Sequence, residues 1–379
     1  MTAFGPARWA WADIDLDAIT HNVGMLRQTV APAGVWAVVK ADGYGHGALE
    51  VGTAALLAGA DGLCVALASE GVALRRFGIG APILVLSEQP PDNAEAMVEH
   101  HLIPTVSTAA GIDTLATAAA THATDPVDVH LKIDTGMHRV GAWPHDAAGL
   151  CRLIAERPVL HLDGIFTHLA VADELSHEAT ERQLARFEEA LSELPPVRLA
   201  HAANSAGALA HPSARHSFVR AGIAVYGISP GADLDDVARR LRPALSLKAR
   251  VAYIKRLQAG DRLSYGLRHE LPRDANVATI PIGYADGVRR TLSGLGMPVL
   301  IGGRRREIIG TVTMDQLMVD CGDDDVAIGD EVVLIGRQGA DEIRAEDWAS
   351  ALGTIGYEIV CGIGPRVPRR YHRSGLDHV

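Results

Sequence analysis

Val35-Trp36-Ala37-Val38-Val39-Lys40-Ala41-Asp42-Gly43-Tyr44-Gly45-His46-Gly47 joins an apolar, β-branched run to a loop broken by three glycines. The first five residues read as a buried strand, and the lysine stands where strand gives way to loop. A lysine that acts as a covalent catalyst needs a partly desolvated site that keeps some of its amine neutral. Strand ends followed by loops build such sites in α/β barrels. Lys40 is therefore read as a candidate Schiff-base lysine, against the ordinary alternative of a solvated strand-end lysine.

Outward from this stretch, from about residue 35 to residue 220, short apolar runs alternate with alanine- and leucine-rich stretches of helical period. That is the pattern of parallel strands with crossover helices. Eight strands are expected: Val35–Val39, Leu63–Ala66, Ile83–Leu86, Ile103–Val106, Val127–Ile133, Leu160–Thr167, Val197–Ala200 and Ser217–Val219. Eight such units fit a (β/α)8 TIM-type barrel, whereas a doubly wound sheet more often stops short of eight and carries a glycine fingerprint after its first strand, which is missing here. The unit lengths are too irregular for a sequence repeat.

After about Leu234 the texture changes to β-branched runs separated by glycine and aspartate: Leu245–Ile254, Val277–Ile282, Pro298–Ile301, Glu307–Thr313, Leu317–Asp320 and Val332–Ile335. A mainly antiparallel β domain is expected there, with Ala345–Leu352, closed by Gly353, as its helix. The fold class is thus α/β, with an N-terminal segment and barrel over residues 1–234 and a C-terminal β domain over 235–379. The junction is placed between Ser229 and Pro243.

Composition limits the partners. A chain of 379 residues that is 48% hydrophobic can bury a large core, and it exceeds the usual size of one simple domain. A net charge of −11 argues against nucleic acid, and the longest basic run, Arg304-Arg305-Arg306, follows Gly302-Gly303 in an expected hairpin turn. No apolar run reaches the roughly 18–20 residues that span a bilayer, and no secretory pattern opens the chain, so no membrane association and a cytoplasmic location are expected. Cys64, Cys151, Cys321 and Cys361 lack paired spacing and read as packing residues, and the histidines lack ligand spacing, so no metal is expected.

The chemistry-bearing residues collect where strands end, which is where barrels place active sites. Lys40 follows the first strand. Arg139 lies beyond the fifth, in Lys132-Ile133-Asp134-Thr135-Gly136-Met137-His138-Arg139, and His168 follows the sixth. Asn204-Ser205 follows the seventh, and Arg220-Ala221-Gly222-Ile223 follows the eighth. Loops after strands seven and eight commonly hold phosphate, which makes Ser205, Gly222 and Ile223 candidates; Asn204-Ser205 reads equally as a helix N-cap, and both readings are compatible.

The run Val-Val-Lys-Ala-Asp-Gly-Tyr-Gly-His-Gly resembles the pyridoxal-phosphate lysine motif of alanine racemases, and the resemblance extends from Asp13 to Cys361. It includes Lys132 to Arg139, Thr167-His168-Leu169, Ala203-Asn204-Ser205, Val219 to Gly227, Leu263-Ser264-Tyr265-Gly266, Ile282 to Gly287 and Met314-Asp315-Gln316. Departures are few: Asp42-Gly43 for the frequent Asn-Ala, His138 where glycine is common, Phe166 for tyrosine and Thr313 for cysteine. None removes a catalytic group, although His138 and Phe166 bear on how Arg139 and the cofactor are packed.

The resemblance implies an isomerase that interconverts L- and D-alanine on pyridoxal 5'-phosphate, supplying D-alanine for peptidoglycan. It nominates Lys40 and Tyr265 as bases on opposite faces of the substrate, Tyr265 reaching the partner's site in a head-to-tail homodimer. It places Arg220 against the pyridine nitrogen, makes His168 and Arg220 the positive neighbourhood that eases loss of the Tyr265 proton, counts His168 and Asn204 among the cofactor-binding residues, and sets Tyr44 and Tyr357 with Ser205, Gly222 and Ile223 around the phosphate. Arg139 and the backbone amide of Met314 would take the substrate carboxylate. Lys132 resembles the lysine that is carbamylated in some members, and Tyr284 and Asp315 resemble residues of a narrow entrance. A racemase preferring serine or of broader specificity is the nearest alternative, since an apolar pocket rejects an added hydroxyl only weakly. A barrel decarboxylase would carry different second-domain motifs, and a non-catalytic carrier of pyridoxal phosphate would need neither Tyr265 nor a second domain.

Overall fold

The computed structural model describes residues 8–373. They form two compact units: one is Ile19–Arg242, and the other combines the described parts of 1–18 and 243–379.

In the first unit the eight expected strands all form, at Gly34–Val38, Gly62–Val65, Ile83–Val85, Thr105–Val106, Val127–Lys132, Leu160–Phe166, Leu199–His201 and Phe218–Ala221. Every pairing among them is parallel. Two four-stranded ladders are joined by a bridge between Leu84 and Ile103 and by hydrogen bonds of Ser217 to Ala200 and Arg220 to Ala203, which closes the barrel. The interior is filled from neighbouring strands by stacked rings. Trp36 lies 4.5 Å from Phe218, Phe218 4.2 Å from His201, and His201 4.6 Å from Phe166. Glycines on adjacent strands make the room, because a Cβ on Gly62 would stand 2.8 Å from the Trp36 ring.

The second unit is a ten-stranded sheet, mainly antiparallel, with a small hairpin, Arg262–Leu263 and His269–Glu270, beside it. Its core includes Leu263, Leu271, Ala275, Val277 and Ile309. The N-terminal segment, expected with the barrel, instead supplies the strand Ala10–Asp15, which pairs antiparallel with Leu245–Arg250 and parallel with Arg369–His372. At the other end, the turn Ala232–Leu234 and helix Asp235–Ala238 still belong to the barrel unit, so the division falls after Arg242, within the expected junction but later than residue 234. The expected run Leu245–Ile254 breaks at Val251-Ala252, where the chain leaves Glu331–Gln338 as its partner and takes Ala275–Ile280. Ala345–Leu352 is helical, and a second helix, Gly356–Cys361, was not expected: six residues between glycines carry too little periodicity to read. Cys64, Cys151 and Cys321 are buried and Cys361 is exposed. No described helix is long and apolar enough to cross a membrane.

Candidate active site

At the end of the first barrel strand the chain turns the wrong way. Ala41, Asp42, Gly43 and Tyr44 all have positive φ, between 51° and 60°, giving a left-handed turn directly after Lys40. A non-glycine residue in that region costs roughly 1–2 kcal/mol, so Ala41, Asp42 and Tyr44 must be held there by their surroundings. Two carboxylates do so. Glu70 accepts the N–H of Ala41 at 2.6 Å while its other oxygen accepts Ala66 and Leu67, tying the turn to the end of the second strand. Asp42 accepts the N–H of Ala48 at 3.0 Å at the start of helix Ala48–Leu57. The turn leaves Lys40 half-buried at the strand end and sends Tyr44 inward, where its ring lies 4.9 Å from Tyr226. Tyr226 in turn donates to the carbonyl of Val38.

The Tyr44 hydroxyl closes on the loop after strand eight. A Cβ on Gly222 would stand 2.6 Å from it, so glycine is required for that approach. Ser205 Oγ accepts the N–H of Gly222 at 2.9 Å and of Ala224 at 3.3 Å, and Ile223 opens a single 3-10 turn whose first N–H groups have no partner within it. Tyr44, Ser205, Gly222 and Ile223 are thus brought together as a small cup of hydroxyls and amides. Asn204 has the capping role: its side chain accepts from Gly207 at 2.9 Å.

Arg220 is the charge at the centre of the barrel. Its Nη2 donates to Thr167 and Ala202 carbonyls at 2.8 and 2.9 Å and faces His168 Nδ1 at 3.2 Å, while its Nη1 faces His201 Nδ1 at 2.6 Å. Its guanidinium and the Lys132 amine both lie over the Phe166 ring, at 5.2 and 5.3 Å, which gives the phenylalanine at this position a cation–π role. Burial lowers the Arg220 pKa to about 10, which leaves it charged at neutral pH. Burial, then Arg220 and the nearby lysine and arginine charges, push His168 far below its ordinary value, so its ring is neutral and, contrary to expectation, supplies no positive charge of its own. Lys132, which donates to Leu86, is lowered to about 7 by burial and then by Arg220, Arg139 and Lys40.

Arg139 is exposed on a loop held by one carboxylate: Asp134 Oδ1 accepts the N–H groups of Gly136, Met137 and His138 at 2.9–3.0 Å. His138 has φ 56°, a left-handed backbone that favours glycine, and its ring leans on Trp143 at 5.5 Å.

The remaining candidates belong to the second unit. Tyr265 stands at the tip of the small hairpin, 73% exposed, between Ser264 and Gly266 and Leu267, all three at positive φ. Ser264 donates to Thr311, and Thr311 donates back to the Tyr265 carbonyl at 3.1 Å. The segment after Thr311 carries Met314 and Asp315, and it meets the loop bearing Tyr284 through hydrogen bonds from Tyr284 to Thr313 and from Ala285 to Met314. Arg366 fixes Asp315 at 2.7 Å and reaches buried Asp286 at 3.3 Å, and Gly364 bonds the Asp286 carbonyl beside the helix carrying Tyr357. Tyr265, Tyr284, Met314 and Asp315 are therefore assembled on one cluster of loops, with Tyr357 on a neighbouring helix.

Sequence reasoning gave no role to Glu70, Asp134, His201 and His130; the first two accept backbone amides, and the two histidines lie behind Arg220 in the barrel interior. The strand Val127–Lys132 alternates apolar residues with Asp128, His130 and Lys132, so His130 did not stand out as a lone polar residue in it. Among the described residues, Asp128, His161 and Asp163 bring ligand-type atoms within 4.8 Å of one another, although Asp163 is already gripped by Arg198.

Comparison with known proteins agrees with this geometry. The family model "Alanine racemase, N-terminal domain" matches residues 14–230 and "Alanine racemase, C-terminal domain" matches 244–371. The alanine racemase of Symbiobacterium thermophilum is 47% identical over 96% of this chain and 97% of its own. The crystal structure of alanine racemase from E. faecalis superimposes with a TM-score of 0.92 at 37% identity, covering 97% of this chain and all of that one. A histidine racemase from Leuconostoc mesenteroides shares the fold at a TM-score of 0.89 and 29% identity, covering 98% of this chain and all of that one. On matches that span both units, this chain belongs to the alanine racemase family.

Proposed function

We propose that the protein is an alanine racemase, interconverting L- and D-alanine with pyridoxal 5'-phosphate, in the cytoplasm and in the supply of D-alanine for peptidoglycan. The observation that carries the cofactor assignment is charge. Lys40, Lys132, Arg139 and Arg220 lie close enough for their charges to act together on Lys132 and His168, while Glu70 and Asp134 in the same loops accept backbone amides. Such a cluster calls for an anionic occupant. The cup of Tyr44, Ser205, Gly222 and Ile223 suits a phosphate, with Tyr357 as a further contact, and Lys40 suits the covalent attachment.

Bound there, pyridoxal phosphate delocalises the negative charge that develops when the substrate loses its Cα proton. The Lys40 amine takes or returns that proton on one face. Tyr265 of a second copy, in a head-to-tail homodimer, serves the other face through its phenolic oxygen; its exposure at the tip of a strained hairpin supports this reading. Arg220, which keeps its protons, would hydrogen-bond the ring nitrogen without protonating it, which would limit side reactions such as transamination. Neutral His168 orients Arg220. Arg139 and the Met314 amide hold the substrate carboxylate, and Tyr284 and Asp315 narrow the entrance to favour a small side chain. Lys132 is proposed to carry a carbamate that orients Arg139; with a pKa of about 7 a sizeable share of its amine is neutral at pH 7, and that is the form that adds carbon dioxide, releasing a proton.

Arg139→Ala is expected to raise KM for alanine more than it lowers kcat, the lost carboxylate pairing being worth about 2–5 kcal/mol. An unchanged KM would remove Arg139 from substrate binding. Lys132 supplies a test in the cofactor-free protein kept free of carbon dioxide, where its amine is unmodified. Its pKa falls from about 10.4 in the unfolded chain to about 7 in the fold. Between these values the unfolded chain binds the extra proton, so stability rises with pH, and the penalty is complete below pH 7. Lys132→Met should therefore raise the melting temperature at pH 7 and change it little near pH 10.5, as scanning calorimetry would record; equal shifts at both would contradict the assignment. Relative turnover of alanine, serine and histidine tests the breadth of specificity, the last because a histidine racemase shares the fold.

A further inference from the structure

Behind Arg220 a file of buried polar groups crosses the barrel interior. Arg220 Nη1 meets His201 Nδ1 at 2.6 Å, His201 Nε2 meets His130 Nδ1 at 2.9 Å, and His130 Nε2 faces Asp163 Oδ2 at 3.5 Å. Asp163 is gripped by both Nε and Nη2 of Arg198, at 2.7 and 2.6 Å, and Arg198 stands 65% exposed just before the seventh strand. His130, His201, Asp163 and Arg220 are buried. None of the three between the arginines reaches the cup that holds the phosphate in the reading above.

The chemistry of the ends fixes the direction of the file. A guanidinium has only donors, so His201 must present a bare Nδ1 to Arg220 and carry its proton on Nε2. That proton points at His130 Nδ1, which must also be bare, and the His130 proton then sits on Nε2, facing a carboxylate that only accepts. Burial pushes the pKa of both rings down, consistent with neutral imidazoles. Reversing the file would bring two N–H groups face to face at 2.6 Å beside Arg220. The rings are also held in plane: Phe166 and Phe218 stack on His201 at 4.6 and 4.2 Å, and a Cβ on Gly164 would stand 2.7 Å from the His130 ring.

We propose that Asp163, through His130 and His201, is a positioning residue for Arg220, setting the tautomer that gives the guanidinium an acceptor and so fixes where it stands. The link to catalysis rests on Arg220 facing the cofactor ring, whereas the tautomers do not. Nitrogen-15 NMR of histidine-labelled protein, with and without pyridoxal phosphate, should find His130 and His201 neutral and protonated on Nε2 in both forms. A proton on Nδ1 of either ring, or a charged ring, overturns the proposal. In Asp163→Asn the amide can turn an N–H toward His130 Nε2 and set the two ends of the file against each other, so the histidine tautomers should become mixed, and the dissociation constant for pyridoxal phosphate, followed by fluorescence titration, should rise by about 10–100-fold, the range of lost outer partners of ligand-holding groups. A folded Asp163→Asn protein with native tautomers and native cofactor affinity also overturns it. If that variant does not fold, the tautomers of the native protein decide. Native tautomers in a protein that fails to racemise alanine would keep the positioning file and remove only the reaction assigned above.

Discussion

Lys40→Ala is expected to abolish racemisation, with a loss larger than the ~10²–10⁴ that removal of a general base alone produces. The substitution takes away two things at once: the covalent hold on pyridoxal phosphate and the proton acceptor on one face of the substrate. The fold should survive. The left-handed turn that follows Lys40 is held by Glu70 and Asp42 through backbone N–H groups of Ala41 and Ala48, and the Lys40 side chain takes no part in either bond. The experiment therefore has three readouts: chiral analysis of product, the absorbance band of lysine-bound cofactor, which should vanish, and the thermal transition, which should persist. Turnover within tenfold of native would remove Lys40 from the mechanism, whatever the absorbance did.

Tyr265→Phe should cost ~10²–10⁴ in kcat while cofactor binding and its absorbance stay native, because only a phenolic oxygen is lost. The hairpin that carries it does not depend on that oxygen; Ser264, Gly266 and Leu267 hold the turn, and Thr311 bonds the Tyr265 carbonyl rather than its ring. The same variant tests assembly. Mixing inactive Lys40→Ala and Tyr265→Phe subunits should restore activity if the site is shared between copies, since a mixed dimer contains one site with both groups. With subunit exchange demonstrated, absence of rescue would count against a tyrosine supplied by the partner.

Much of this was legible in the sequence because period carries fold. Each barrel strand is an apolar run followed by a helical stretch, and all eight were found within a few residues of their expected bounds. Lys40, His168, Ser205 and Arg220 were legible for the same reason: a polar residue at the end of such a run lies at the barrel mouth. What escaped was long-range and backbone-borne. Nothing in Ala41-Asp42 announces a left-handed turn, since its cause is Glu70, far along the chain. Asp134 looks like any loop aspartate until its oxygen gathers three amides. Ala10–Asp15 alternates like a strand but does not state its partners, which lie at 245–250 and 369–372. His130 and His201 sit in separate strands, and only barrel closure brings their rings within 2.9 Å.

Exchange at Cα tests the central claim most directly. L-Alanine incubated with the protein and pyridoxal phosphate in deuterated water should gain deuterium at Cα, with D-alanine appearing alongside it, as proton NMR with chiral analysis would show. Deuterium in L-alanine without any D-alanine would mean one working base and would contradict the role given to Tyr265, and no exchange at all would contradict racemisation itself.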